Sequence, residues 1–238
     1  MDDVDLEIPT GSVTALVGPD GAGKSTLIRL WLGFERPSQG SVTVLGKDPQ
    51  RNAGAVQRAI GYVPQSSFLY REFSIGDHFD LASTLRPSFD RPFAEARLED
   101  LGLAPDLRVE ELSGGERAQV ALSLALATRA PTLLLDEPLA SMDPLARREF
   151  LHVLVATVRT TGQSVVMSSH VVSDIEQAAD RIVILGSGRV LLSASIGDVL
   201  ATHRVDGSPD GQELIGTFPD LVGADVALWR ASDASPTA

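Results

Sequence analysis

Cysteine is absent from this sequence of 238 residues. A disulfide framework, a cysteine zinc site and a thiol nucleophile are thereby excluded. Lysine is nearly absent: Lys24 and Lys47 are the two, against 18 arginines. Long apolar runs are missing as well. The longest, such as residues 120–127, fall far short of the ~18 residues needed to span a bilayer. The chain opens Met1-Asp2-Asp3-Val4-Asp5, the reverse of a basic secretory leader. These absences lead us to expect a protein of the cytoplasm. Positive charge is also short, 20 bases against 32 acids and a net charge of −12. That balance opposes a nonspecific coat on nucleic acid, which needs a basic field, so no nucleic-acid partner is expected.

The deficit is unevenly placed. Residues 1–10 hold four acids and no base, and residues 201–238 hold six acids and two bases. The middle is close to balanced and carries every strong motif. With 43% hydrophobic and 22% charged residues, the composition is that of a globular protein with a real core.

Strand and helix signals alternate. Residues 12–17, 41–45 and 59–63 read as strands, and residues 24–32 as a helix behind a glycine-rich turn. From about residue 74 to 130 the reading is helical, with Asp90 and Pro92 opening one helix and residues 116–128 forming another. Residues 132–136 make a continuous apolar strand of the kind buried in a parallel sheet. Asp143-Pro144 opens a helix, with Leu151, Leu154, Val155 and Val158 on one face and Gly162 as its stop. Strands follow at 164–167 and 181–185, then a hairpin to 189–192, and Ser195 caps a last short helix. The fold class is α/β, with a mainly parallel sheet and an inserted helical stretch. We divide the chain into residues 1–203 and an acidic appendage, residues 204–238.

Three segments carry chemistry. Gly18-Pro19-Asp20-Gly21-Ala22-Gly23-Lys24-Ser25-Thr26 matches the phosphate-loop pattern between a strand and a helix. Its glycines let backbone N–H groups turn toward phosphates, Lys24 adds a compact charge, and Ser25 offers a hydroxyl to Mg²⁺. Leu133-Leu134-Leu135-Asp136-Glu137-Pro138 describes a buried strand emptying two carboxylates at its end, where parallel sheets place ligands. Asp136 suits Mg²⁺ and Glu137 suits an attacking water. Leu112-Ser113-Gly114-Gly115-Glu116 reads, on spacing alone, as a capped helix start.

Taken in order, these residues resemble the nucleotide-binding subunit of ABC transporters over about residues 4–200. In that resemblance residues 18–26 are Walker A, Gln65 in Tyr62-Val63-Pro64-Gln65 is the Q-loop glutamine, and residues 112–116 are the family signature. Residues 133–136 are Walker B with Glu137 as the catalytic carboxylate. Ser141-Met142-Asp143 is the D-loop, and His170 in Ser168-Ser169-His170 is the switch histidine. The resemblance implies a P-loop NTPase with a RecA-like core, an inserted helical signalling subdomain and a small antiparallel β subdomain. It implies ATP and Mg²⁺, with Ser25, Gln65 and Asp136 toward the metal and Glu137, Gln65 and His170 toward hydrolysis. It also implies a head-to-tail homodimer or heterodimer in which Ser113, Gly114, Gly115 and Glu116 of one chain close over ATP held by the other. The partner would be an integral-membrane permease subunit, met at the cytoplasmic face of the membrane.

The sequence departs from the pattern at its start. Residues 1–17 contain no Phe, Tyr or Trp, where relatives stack an aromatic on adenine. Residues 4–9 resemble the family's second strand, so about 15–20 further residues are expected upstream. Residues 143–150 and 168–174 are most similar to bacterial ABC-2-type exporters, and export is the expected direction. The alternatives are a non-transport ABC ATPase and an ATP-dependent regulator.

Overall fold

The computed structural model describes residues 1–66, 68–140, 142–169 and 178–202, with side chains described as far as residue 199. Six strands form one sheet: β1 (Val13–Val17), β2 (Ile60–Val63), β3 (Thr132–Leu135), β4 (Ser164–Ser169), β5 (Arg181–Gly186) and β6 (Arg189–Ser195). Their spatial order is β2-β3-β4-β1-β5-β6. All neighbours run parallel except β5 and β6, which form the antiparallel hairpin at one edge.

The period-two alternation of the central strands decides what packs where. Leu133, Leu135, Val165 and Met167 share one core cluster with α5 (Gly114–Ala127) and α6 (Pro144–Thr161). Leu134, Val166, Leu16 and Val183 point into a second cluster with α1 (Lys24–Leu32) and α2 (Ala53–Arg58). The sheet is therefore covered on both faces, which is why its strands carry apolar residues at consecutive positions.

Helices α3 (Ile75–Leu85), α4 (Arg91–Leu101) and α5 build a further layer around Phe79, Leu98 and Val120. Helix α5 joins this layer to the sheet. Its Leu122 and Leu126 face the strands while Val120 and Leu124 face α3 and α4. A helix buried on two sides needs small and apolar residues nearly all round, and every residue from Gln119 to Ala127 is buried. The helix starts at Gly114, two residues before the expected position, so both signature glycines lie inside its first turn.

Capping fixes most of the other boundaries. Ser74 and Asp77 form a reciprocal box at α3, Asp90 accepts from Phe93 N–H at α4, and Asp143 accepts from Leu145 and Ala146 N–H at α6. Ser195 accepts from Asp198 N–H at α7 (Ile196–Thr202).

Two expected strands are not formed. Residues 41–45 hold only an isolated Val44–Lys47 bridge around the turn at Gly46, and residues 4–9 form no regular element. Both carry strand-like alternation, but a strand needs a ladder partner, and among the described residues neither has one. Among the described residues the antiparallel pairing is that of β5 with β6, at one edge of the main sheet. Helix α2 was not signalled, being only six residues long. The appendage, residues 204–238, lies outside the described residues.

Candidate functional site

The phosphate loop leaves the sheet at the end of β1. A Cβ at Gly18 would stand 2.4 Å from the Leu185 carbonyl oxygen, so only glycine lets the chain turn against β5. Gly23 has φ 107°, in the left-handed region, and caps α1 without offering a side chain. No acidic residue lies in the first turn of α1. The positive end of a helix without such a residue suits an external anion. Ser25 and Thr26 are half-buried in that turn, Ala22 is buried, Pro19 is half-buried, and Asp20 and Gly21 are exposed.

Lys24 is buried at 5% exposure, and its ammonium group has three oxygen partners. Nζ donates to Gly18 O at 2.7 Å and Pro19 O at 3.3 Å, and lies 3.2 Å from Glu137 Oε1. Two of the three segments singled out as chemical therefore meet through one ion pair, between residues 113 positions apart in the chain.

Asp136 and Glu137 follow β3. Asp136 is buried, and its N–H donates to Val63 O at 2.8 Å, extending the β2–β3 pairing by one residue. Glu137 takes φ 47°, unusual for a side chain with a Cβ. Such a conformation costs about 1–3 kcal/mol and clusters at functional sites. Ser168 ties the two acids together. Its Oγ–H donates to Asp136 Oδ1 at 2.7 Å, and the same oxygen accepts from Glu137 N–H at 2.7 Å. Burial, then the charge of Asp136, pushes the Tyr62 hydroxyl up, with Arg29 opposing. Gln65 is exposed two residues beyond β2. Because Val63 pairs with Leu135, Gln65 and the two acids leave the sheet at the same end on neighbouring strands.

The remaining expected residues are placed differently. Ser113 and Glu116 form a capping box on α5: Glu116 N–H donates to Ser113 Oγ at 3.2 Å and Ser113 N–H to Glu116 Oε2 at 2.7 Å. That backbone N–H, first, and the Ser113 hydroxyl hold the Glu116 carboxyl below its usual range. Ser113, Gly114 and Gly115 belong to the helical layer, and their described contacts do not reach the phosphate loop. Asp143 spends its described hydrogen bonds capping α6, and Met142 is buried in the core beside α6. His170 and Ser141 lie outside the described residues.

Ser168 had no assigned role in the sequence, although a serine closing the apolar run Val165-Val166-Met167 marks a strand end turning polar. Met1 carried no signal at all. The structure sets its thioether beside Gly23, where a Cβ would stand 2.3 Å from Met1 Sδ.

The donor set suits Mg²⁺ bound with a phosphate substrate. The hydroxyl of Ser25, the carboxylate of Asp136 and the amide oxygen of Gln65 are all hard oxygen donors. No group of three or more His, Cys, Asp or Glu forms a dedicated cage among the described residues. A cation sharing its ligands with phosphate oxygens and water needs none.

Comparison with known proteins gives the same picture. A family model described as ABC transporter matches residues 1–140. The molybdenum import ATP-binding protein ModC of Thiobacillus denitrificans is 36% identical over 234 residues, 93% of this chain and 62% of that one. The probable multidrug ABC transporter ATP-binding protein YbhF of Escherichia coli is 36% identical over 194 residues, 79% of this chain and 33% of that one. The chain spans 62% or less of the length of these relatives. Among solved structures, the ATP binding subunit of an ABC transporter superposes with a TM-score of 0.76 at 25% identity, covering 97% of this chain and 91% of that one. The cbiO1 protein of Clostridium perfringens, part of the cbiONQ complex, gives 0.73 at 26% identity, covering 83% and 82%.

Proposed function

The chain belongs to the ABC transporter ATP-binding family, and on that premise we propose that it binds and hydrolyses ATP to power transport through a separate integral-membrane permease subunit. The observation that carries this reading is the buried Lys24–Glu137 pair, which joins the phosphate loop to the end of β3. The pair brings an ammonium group suited to phosphate and a carboxylate together at the carboxyl ends of β1 and β3, where a parallel sheet takes its ligand.

In this reading the phosphates of ATP lie on the N–H groups of residues 21–26 and draw Lys24 away from Glu137. Glu137, released from its ion pair, accepts a proton from the attacking water. Ser25, Asp136 and Gln65 hold Mg²⁺, which supplies charge neutralisation for the phosphate oxygens. Asp136 keeps its orientation because Ser168 holds one of its oxygens. His170 contacts the terminal phosphate.

Ser113, Gly114, Gly115 and Glu116 do not complete the site within one chain. They complete it on a second chain in a head-to-tail dimer, with Asp143 at the junction, as homodimer or heterodimer. Residues 74–130 transmit the nucleotide state to the permease at the cytoplasmic face of the membrane, with Gln65 at the joint. No helix among the described residues is long and apolar enough to cross a membrane, so this chain's described part relies on a partner for passage. Export is the direction read from residues 143–150 and 168–174. A relative named for import matches at the same 36% identity, so the export direction rests on those two segments alone.

The test is equilibrium binding of Mg-ATP to the full chain beside Lys24→Ala, together with co-purification from membranes. Saturable ATP binding that is lost in K24A, and recovery of an integral-membrane protein, are the expected results. ATP binding unaffected by K24A would overturn the reading.

A further inference from the structure

His78, the fourth residue of α3, is buried at 5% exposure. Both of its ring nitrogens are engaged. Tyr70 N–H donates to Nε2 at 2.9 Å, and Nδ1 lies 2.8 Å from the Ser74 carbonyl oxygen. An amide donor at Nε2 requires a lone pair there, so the ring proton sits on Nδ1 and is donated to Ser74. The geometry selects one neutral tautomer.

The imidazole also braces two other rings. It lies nearly parallel to Tyr70, with centroids 6.0 Å apart, and edge-on to Phe73 at 5.6 Å; Tyr70 and Phe73 are 5.1 Å apart. Yet Tyr70 is 59% and Phe73 41% exposed. They stand on the segment that joins Gln65 to α3. That segment is otherwise tied down by Phe73 N–H to Tyr70 O, Val109 N–H to Phe73 O, and Glu110 N–H to Arg71 O.

We propose that His78 is a positioning residue: its neutral form holds Tyr70 and Phe73 as an exposed ring pair on the segment between Gln65 and α3, and protonation at Nε2 releases them. A protonated imidazole has two donors and no acceptor, so Tyr70 N–H would face another N–H. The charged groups around the ring are Asp77 on its own helix, Arg71 and Glu72 on the loop, and Arg108 and Glu110 on the chain bonded to Ser74, Phe73 and Arg71. The consequence for coupling rests on the proposed docking of a permease on the helical layer; the hydrogen-bond switch does not.

The test is nitrogen-15 NMR of the full chain, with hydrogen exchange of the Tyr70 amide measured against that of Ile75. The Ile75 N–H bonds to Leu107 O and owes nothing to the histidine. At the upper end of the pH range the Nδ1–H tautomer is expected. As Nε2 gains its proton, followed by the ring-nitrogen shifts along an acid titration, the protection of Tyr70 relative to Ile75 falls by about tenfold or more. In His78→Gln an amide oxygen can take the place of Nε2, so protection remains and its pH dependence disappears; in His78→Phe protection is low throughout. Mg-ATP hydrolysis in H78Q stays within about twofold of wild type, since the ring's described contacts are with Tyr70, Phe73 and Ser74. An Nε2–H tautomer in the unmodified chain, or a Tyr70-to-Ile75 ratio that ignores pH, overturns the proposal and needs no variant to fold. A normal pH response, with identical stimulation of wild type and H78Q by a recovered permease, would uphold the positioning and remove its link to docking.

Discussion

Replacing Ser168 by alanine isolates the hydrogen bonds that hold the two acids. The side chain is fully buried and gives up a single oxygen, so the packing change is negligible. What is lost is the donor to Asp136 Oδ1 and the acceptor for Glu137 N–H, each at 2.7 Å. A bond to a charged group contributes about 1.5–3 kcal/mol and a neutral one about 0.5–1.5 kcal/mol. Ser168→Ala is therefore expected to destabilise the chain by about 2–4 kcal/mol. The assay is urea unfolding, read as a shift of midpoint at constant slope, so that the change belongs to the native state. Hydrolysis should fall as well, because Asp136 loses its orientation and the strained turn at Glu137 loses its anchor. A loss below about 0.5 kcal/mol, the range of ordinary surface changes, would refute the reasoning that Ser168 organises the site.

Other consequences test the surrounding structure. Thr14 is fully buried in β1, and among the described residues its hydroxyl has no hydrogen-bond partner. Thr14→Val is thus expected to raise stability by about 1 kcal/mol or more, and a loss in urea unfolding would contradict it. Asp77, Asp90 and Glu116 all cap helices, and backbone N–H groups hold each carboxyl below its usual range, with Arg129 assisting at Asp90. A depressed folded-state pKa gives stability that is present above the unfolded value near 4 and is lost as pH falls through the folded value. Acid unfolding of the triple variant D77N/D90N/E116Q should consequently start from lower stability and show a flatter loss below about pH 4 than wild type; parallel acid limbs would count against the capping account.

The legible parts of the fold were local. Helix α1 occupies the expected residues because the glycine-rich turn and Gly33 bound it on both sides. The strands β1, β3, β4 and β5 announced themselves as short apolar runs with turn residues behind them. Residues 41–45 carried the same local signal and still failed to become a strand, since pairing is decided by what lies alongside and not by the segment itself. The hairpin strand β6 ran three residues past its expected end for the converse reason: β5 offers it a partner as far as Ser195. At the site, Lys24, Asp136 and Glu137 stood out because each sits in a segment of fixed spacing. Ser168 did not. Its role comes from β4 lying between β1 and β3, a fact of topology that no residue in its own strand records. His78 is similar, since its meaning depends on a loop that folds back over the start of α3.

The most direct measurement is ATP turnover by Glu137→Gln beside the unmodified chain, with light scattering in the same samples. The substitution keeps the shape of the side chain and removes its charge and its ability to take a proton. The account predicts that wild type hydrolyses Mg-ATP, whereas E137Q retains ATP without turning it over and doubles in mass as two chains close over the nucleotide. Turnover in E137Q equal to that of wild type would contradict it.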